Sequence, residues 1–130
     1  MNAVLAPLLA GSAIEFLFPF NPDAVWNRLA APFLLPTDHR PITFLTAVPT
    51  IYSKLIASFP GLPPATQDAA KRAILPDNLR LSLSGSAALP IPTKKAWSDL
   101  SGRNVLLERY GMTEIGMAIS CGLDPVDRVD

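Results

Sequence analysis

The sequence predicts an α/β fold, a mostly parallel sheet with helices on both faces. Three observations carry the prediction. Short runs at residues 42–48 and 105–107 are almost wholly apolar, without the polar alternation of a half-exposed strand, as strands buried on both faces require. Between such runs lie stretches with apolar residues at helical spacing, so helix and strand alternate along the chain. Two of the strands run out into small residues, and in sheets of this kind ligands bind beyond the strand carboxyl ends.

In order, residues 2–10 read as a buried helix closed by Gly11, and residues 13–18 as a strand. Asn21-Pro22-Asp23 opens a second helix, because Asn can cap it and Pro suits its first turn. Val25, Trp26, Leu29 and Ala30 form its apolar face. Residues 31–41, with three prolines, read as a loop. Residues 42–48 read as a strand, ended by Val48-Pro49-Thr50, and a helix continues through Ile51, Leu55 and Ile56 to about Ser58. Residues 59–64 are a loop. Residues 65–75 form an amphipathic helix whose Gln67, Asp68, Lys71 and Arg72 make a solvated face. Residues 79–83 read as a strand that gives way to the small residues of 84–90. Pro92 opens the next helix, with Ala96, Trp97 and Leu100 inward, and Ser101-Gly102 ends it. Residues 105–107 are the last of these strands, and a further apolar run covers 115–119.

Composition narrows the function classes. The 130 residues are 49% hydrophobic and 17% charged, enough for a core and poor in charge for a free-standing surface. Eleven basic side chains balance eleven acidic ones, so nothing supports charge-driven nucleic-acid binding. Cys121 stands alone, which leaves no internal disulfide and no cysteine metal cluster. His39, the one histidine, sits in the polar run Thr37-Asp38-His39-Arg40 and reads as a loop residue, not as a catalytic base. The apolar stretch at residues 3–20 lacks a preceding Lys or Arg and is broken by Pro7, Gly11, Glu15 and Pro19. It therefore reads as buried helix and strand, not as a signal or membrane segment, and no membrane insertion is expected.

The stretch that carries chemistry is Glu108-Arg109-Tyr110-Gly111-Met112-Thr113-Glu114. It is read as a strand end that turns at once through glycine. Gly111 lets the backbone come close to a ligand. Tyr110 offers a flat face to a base. Thr113 can donate to a phosphate oxygen, and Glu114 can hold magnesium, which prefers oxygen ligands. The plain alternative is a strand end with polar residues facing water. Neither a Gly-x-Gly-x-x-Gly fingerprint nor a phosphate-binding Gly-x-x-x-x-Gly-Lys-Ser/Thr loop occurs.

Ser84-Gly85-Ser86-Ala87-Ala88-Leu89-Pro90, about twenty residues ahead of that stretch, resembles with it the adenylate-forming superfamily of acyl-CoA synthetases, luciferases and peptide-synthetase adenylation domains. Val48-Pro49-Thr50-Ile51-Tyr52 and the Leu8-to-Gly11 helix end are similar to segments of the same family in the same order, so the resemblance covers nearly the whole chain. The variant Gly85-Ser86-Ala87 and the run from Leu107 to Met117 look closest to the malonyl-CoA synthetase branch, which includes acyl-CoA synthetase family member 3.

The resemblance implies a partial domain of an adenylate-forming enzyme and a two-step reaction with ATP, Mg2+ and coenzyme A. A carboxylate attacks the α-phosphate of ATP to give an acyl-adenylate and pyrophosphate; the thiol of coenzyme A then displaces AMP. It places Gly85, Ser86, Ala87 and Ala88 against adenine and the acyl group, Tyr110, Gly111 and Met112 at the nucleotide, Thr113 at the phosphate and Glu114 at the metal. For a dicarboxylate such as malonate, the unreacted carboxylate needs a cationic partner, and a forked guanidinium suits it. Arg109 is the candidate, with Ser86 as a second donor; the alternative for Arg109 is a structural ion pair, with Glu108 or a helix end. The family's phosphate-loop segment, with its lysine, and its C-terminal domain have no counterpart in these residues. Residues 1–130 are therefore expected to be a fragment of the N-terminal AMP-binding domain holding one wall of the active site, with negligible ligase activity alone. A non-catalytic remnant that binds nucleotide or a partner is the competing reading. The expected compartment is intracellular, mitochondrial or cytosolic.

Overall fold

The computed structural model describes residues 2–34, 39–112, 114–120 and 122. Its elements are α1 (Asn2–Leu9), α2 (Pro22–Leu34), β1 (Phe44–Ala47), α3 (Pro49–Ser58), α4 (Pro64–Ile74), β2 (Leu81–Ser84), α5 (Ile91–Leu100), β3 (Leu106–Met112) and β4 (Gly116–Ser120), with a 3-10 turn at Phe59–Gly61 between α3 and α4. The sheet runs β1-β2-β3-β4. The first three strands are parallel and the last pair is antiparallel.

This is an α/β fold with a mixed, mostly parallel sheet flanked by helices. Parallel neighbours need crossovers, and α3–α4 and α5 supply them. Both crossovers advance the same way across the sheet. Among the helices, α3 packs on α5 and α2 packs on α3 and α4. Asn21 caps α2 as its side chain predicts, its Oδ1 accepting from the N–H groups of Asp23 at 2.9 Å and Ala24 at 3.0 Å.

The core between helices and sheet is aromatic. Trp26 stacks on Trp97 with centroids 6.3 Å apart, while Phe59 meets Trp26 and Tyr52 meets Trp97 edge to face at 5.1 and 4.9 Å. Two of the side chains buried there donate to the main chain. Trp26 Nε1 donates to Leu55 O at 2.9 Å, and Asn104 Nδ2 donates to Ile74 O and Leu79 O at 3.0 and 2.7 Å.

Four expectations fail. The first helix exists, but Leu5, Leu8 and Leu9 are exposed, so it is not buried. Residues 13–18 form no strand; they lie irregular, with Phe16 and Phe18 exposed. A strand needs a hydrogen-bonding neighbour as well as apolarity, and this segment is held instead by Glu15, whose two carboxylate oxygens accept from Arg28 Nε at 2.8 and 2.9 Å. The second helix does not stop at Ala30. It continues through Pro32 to Leu34, because Phe33 packs against the core. Finally, the Glu108–Glu114 stretch is not a turn at a strand end, since β3 runs on through Met112.

Candidate nucleotide and acyl site

The pairing of β2 with β3 creates the candidate site. Ser82, Leu83 and Ser84 lie beside Leu106, Leu107 and Glu108. The next residues, Gly85 and Arg109, therefore meet where β2 ends and β3 continues. A Cβ on Gly85 would lie 3.4 Å from the Arg109 carbonyl oxygen, so the two backbones are in close contact. The small-residue loop and the Tyr-Gly-x-Thr-Glu stretch, about twenty residues apart in sequence, are thus brought together at one edge of the parallel sheet.

Within the loop, Ser86, Ala87 and Ala88 are exposed, and Ser86 has φ +67°, the left-handed region that residues with a Cβ rarely enter. Leu89 returns to the core, and its N–H donates to Glu108 Oε1 at 2.9 Å. Arg109 is half-buried, and its Nε, fully shielded from solvent, has no hydrogen-bond partner among the described residues. Glu108 and Arg109 are successive strand residues, and successive side chains leave a strand on opposite faces. The Glu108 carboxylate is engaged by the loop backbone.

Beyond Arg109 the chain forms a β3–β4 hairpin. Arg109 pairs with Ser120, Tyr110 with Ile119, Gly111 with Met117 and Met112 with Gly116, and the register shifts between Tyr110 and Gly111. The close approach that Gly111 makes is to its own hairpin, where a Cβ would drive into the Gly116 carbonyl oxygen. Tyr110 and Met112 are exposed, and Glu114 stands exposed at the hairpin tip. Thr113 lies outside the described residues, as does Cys121. The structure joins Gly85 to Arg109 and Leu89 to Glu108; no hydrogen bond among the described residues links Glu114 to the loop. Two surface hollows, of about 330 and 240 Å³, lie along α5 and not at this site.

Two contributors escaped the sequence reading. Glu108 contacts the loop, which only the strand register reveals. Tyr52, at the end of the Val48-to-Tyr52 segment, is buried with its hydroxyl 3.1 Å from Leu45 O and 3.0 Å from Leu83 O, shared between the ends of β1 and β2 just before the loop. Burial pushes its phenol well above the ordinary value of 10.0, so it stays a donor. No cluster of three or more His, Cys, Asp or Glu occurs among the described residues. Magnesium is commonly held by one or two carboxylates together with substrate phosphates, and a lone exposed Glu114 fits that chemistry. No described helix is long and apolar enough to cross a membrane.

Comparison with known proteins gives the family. The family model for AMP-binding enzymes matches residues 1–130. A CoA ligase from Gibberella moniliformis is 53% identical and aligns with 100% of this chain and 24% of its own length. The human mitochondrial malonate–CoA ligase ACSF3 is 42% identical over 92% of this chain and 20% of its own. The crystal structure of apo MatB from Rhodopseudomonas palustris superposes with a TM-score of 0.65 at 30% identity, covering 94% of this chain and 20% of that one. The chain thus spans about a fifth to a quarter of the length of these relatives. It belongs to the AMP-binding enzyme family, in the acyl-CoA synthetase superfamily and close to its malonate–CoA ligase branch.

Proposed function

We propose that this chain forms one wall of the active site of an ATP-dependent acyl-CoA synthetase that activates a small carboxylic acid, malonate or a related dicarboxylate, in an intracellular compartment. The reading is carried by one observation: parallel pairing of β2 and β3 sets Gly85 against Arg109, so the small-residue loop and the Tyr-Gly-x-Thr-Glu stretch share an edge. In this reading Gly85, Ser86, Ala87 and Ala88 receive the nucleotide with Tyr110, Gly111 and Met112, while Thr113 meets a phosphate and Glu114 would hold Mg2+. The metal, bound through the phosphates, would supply charge neutralisation. The chain's own residues orient the carboxylate and ATP, and catalysis is positioning plus charge stabilisation, without covalent attack by the protein.

Arg109 supports the dicarboxylate assignment. A shielded guanidinium nitrogen without a hydrogen-bond partner among the described residues is costly, and the spare carboxylate of malonate has the shape and charge to engage that group. Ser86, exposed at the loop tip, is the second donor. The test is Arg109→Lys in a ligase containing this chain. Because Lys keeps the charge but not the fork, malonate turnover should fall about tenfold or more, with acetate turnover nearly unchanged. Equal losses on both acids would remove Arg109 from the acyl site.

A further inference from the structure

Residues 85–90 are irregular backbone, yet they hold a non-glycine residue at φ +67°. Such a conformation persists only where its surroundings over-determine it. Both ends of the loop are pinned to β3. At the first, Gly85 lies against the Arg109 carbonyl. At the second, the Leu89 N–H meets the Glu108 carboxylate at 2.9 Å, while Leu89 itself is sunk in the core. Ser84 and Glu108 are register partners, so the carboxylate leaves β3 level with the last residue of β2 and spans the base of the loop.

We infer that Glu108 is a positioning residue: its carboxylate latches the Leu89 N–H and thereby fixes the small-residue loop against β3. A carboxylate suits this task because a charged acceptor makes a shorter and stronger bond to a backbone N–H than a neutral one. Reach matters as much as charge. Aspartate ends one methylene, about 1.5 Å, sooner and would leave the N–H unmet, whereas glutamine keeps an oxygen at the same reach. That the loop faces a nucleotide rests on the adenylate-forming reading; the latch itself does not.

The experiment measures hydrogen exchange of the Leu89 amide in the full chain, comparing Glu108 with Glu108→Gln, Glu108→Asp and Glu108→Ala. In the unaltered chain Leu89 should exchange at least about tenfold more slowly than in the Asp and Ala variants, and Gln should stay within about threefold of the unaltered chain. Strand amides of β1 and β2 should be unchanged throughout, which separates loss of the latch from loss of the fold. If Ala unfolds the sheet, the contrast between Gln and Asp decides. Fast exchange in the unaltered chain, or equal protection in all four proteins, overturns the inference. Titration of a ligase containing this chain, unaltered or with each variant, with AMP then separates the two readings. Asp and Ala should bind about tenfold more weakly than Gln, and equal affinities would overturn the positioning role. If the unaltered ligase does not bind AMP, the nucleotide reading fails, while the exchange data still decide the latch.

Discussion

Two apolar regions of this chain end in opposite surroundings. Trp26, Tyr52, Leu55 and Trp97 have no exposed surface, whereas Ile115, Met117 and Ile119 in the β3–β4 hairpin region are 40–67% exposed. Hydrophobicity does not separate them; the connections do. Each parallel neighbour in β1-β2-β3 is reached through a crossover that lays helix over the sheet. The step from β3 to β4 is a direct hairpin and brings no helix with it. Cover is therefore a by-product of topology, and the stretch that carries the candidate chemistry is the part the topology leaves open.

The largest test of this contrast is Trp26→Ala. It removes a ring touching both Phe59 and Trp97 along with the hydrogen bond to Leu55, and should cost about 3–5 kcal/mol in denaturant unfolding. Asn104→Ala comes next. It strips a shared donor from the buried carbonyls of Ile74 and Leu79, for an expected loss of about 1–3 kcal/mol on the same measurement.

Tyr52 gives a smaller effect that depends on pH. Its folded pKa is raised, so its contribution is fully present below the unfolded value of 10.0 and is lost as pH climbs beyond it. Above that point the unaltered chain should lose about 1.4 kcal/mol per pH unit relative to Tyr52→Phe, read from paired unfolding curves. Parallel curves would mean that the phenol is not buried in the folded chain. At the bottom of the scale, Ile119→Ser should change stability by no more than about 0.5 kcal/mol, because the side chain is already in water. A loss comparable with that of Trp26→Ala would show the hairpin to be covered, and would dissolve the comparison.

The same contrast decides what could be read from the sequence. The helical face of Val25, Trp26, Leu29 and Ala30 was legible because periodicity and burial coincide there. The strands around Phe44 and Leu81 were legible for a related reason, as each is a short β-forming run closed by a proline or a small-residue loop. Residues 13–18 were not, since an apolar run states that a segment avoids water and says nothing of whether a neighbouring strand exists to pair with it. Helix α1 misled in the same way. That the segments 84–90 and 110–114 follow strand exits was foreseen from the alternation of strands and helices. The Glu108–Leu89 contact was not, because it depends on a register that no local pattern encodes. The hairpin that replaced the expected turn at Gly111 depends on pairing with the residues that follow it, where the Gly116 backbone fills the space a Cβ would take.

The placement of the indoles has an optical consequence. Both tryptophans of the chain sit fully buried in one cluster beneath the helices, and neither lies at the motif. Red-edge excited emission therefore reports the packed core alone, and an aqueous quencher should barely touch it. Tyr110, exposed within the motif, belongs to a separate spectral channel. A ligand that changes tyrosine emission without moving the indole band has acted locally. One that shifts the indole band has sent its effect inward, and the shortest structural route is the Tyr52 hydroxyl, which touches the Leu83 carbonyl at one end of its ring and packs against Trp97 at the other.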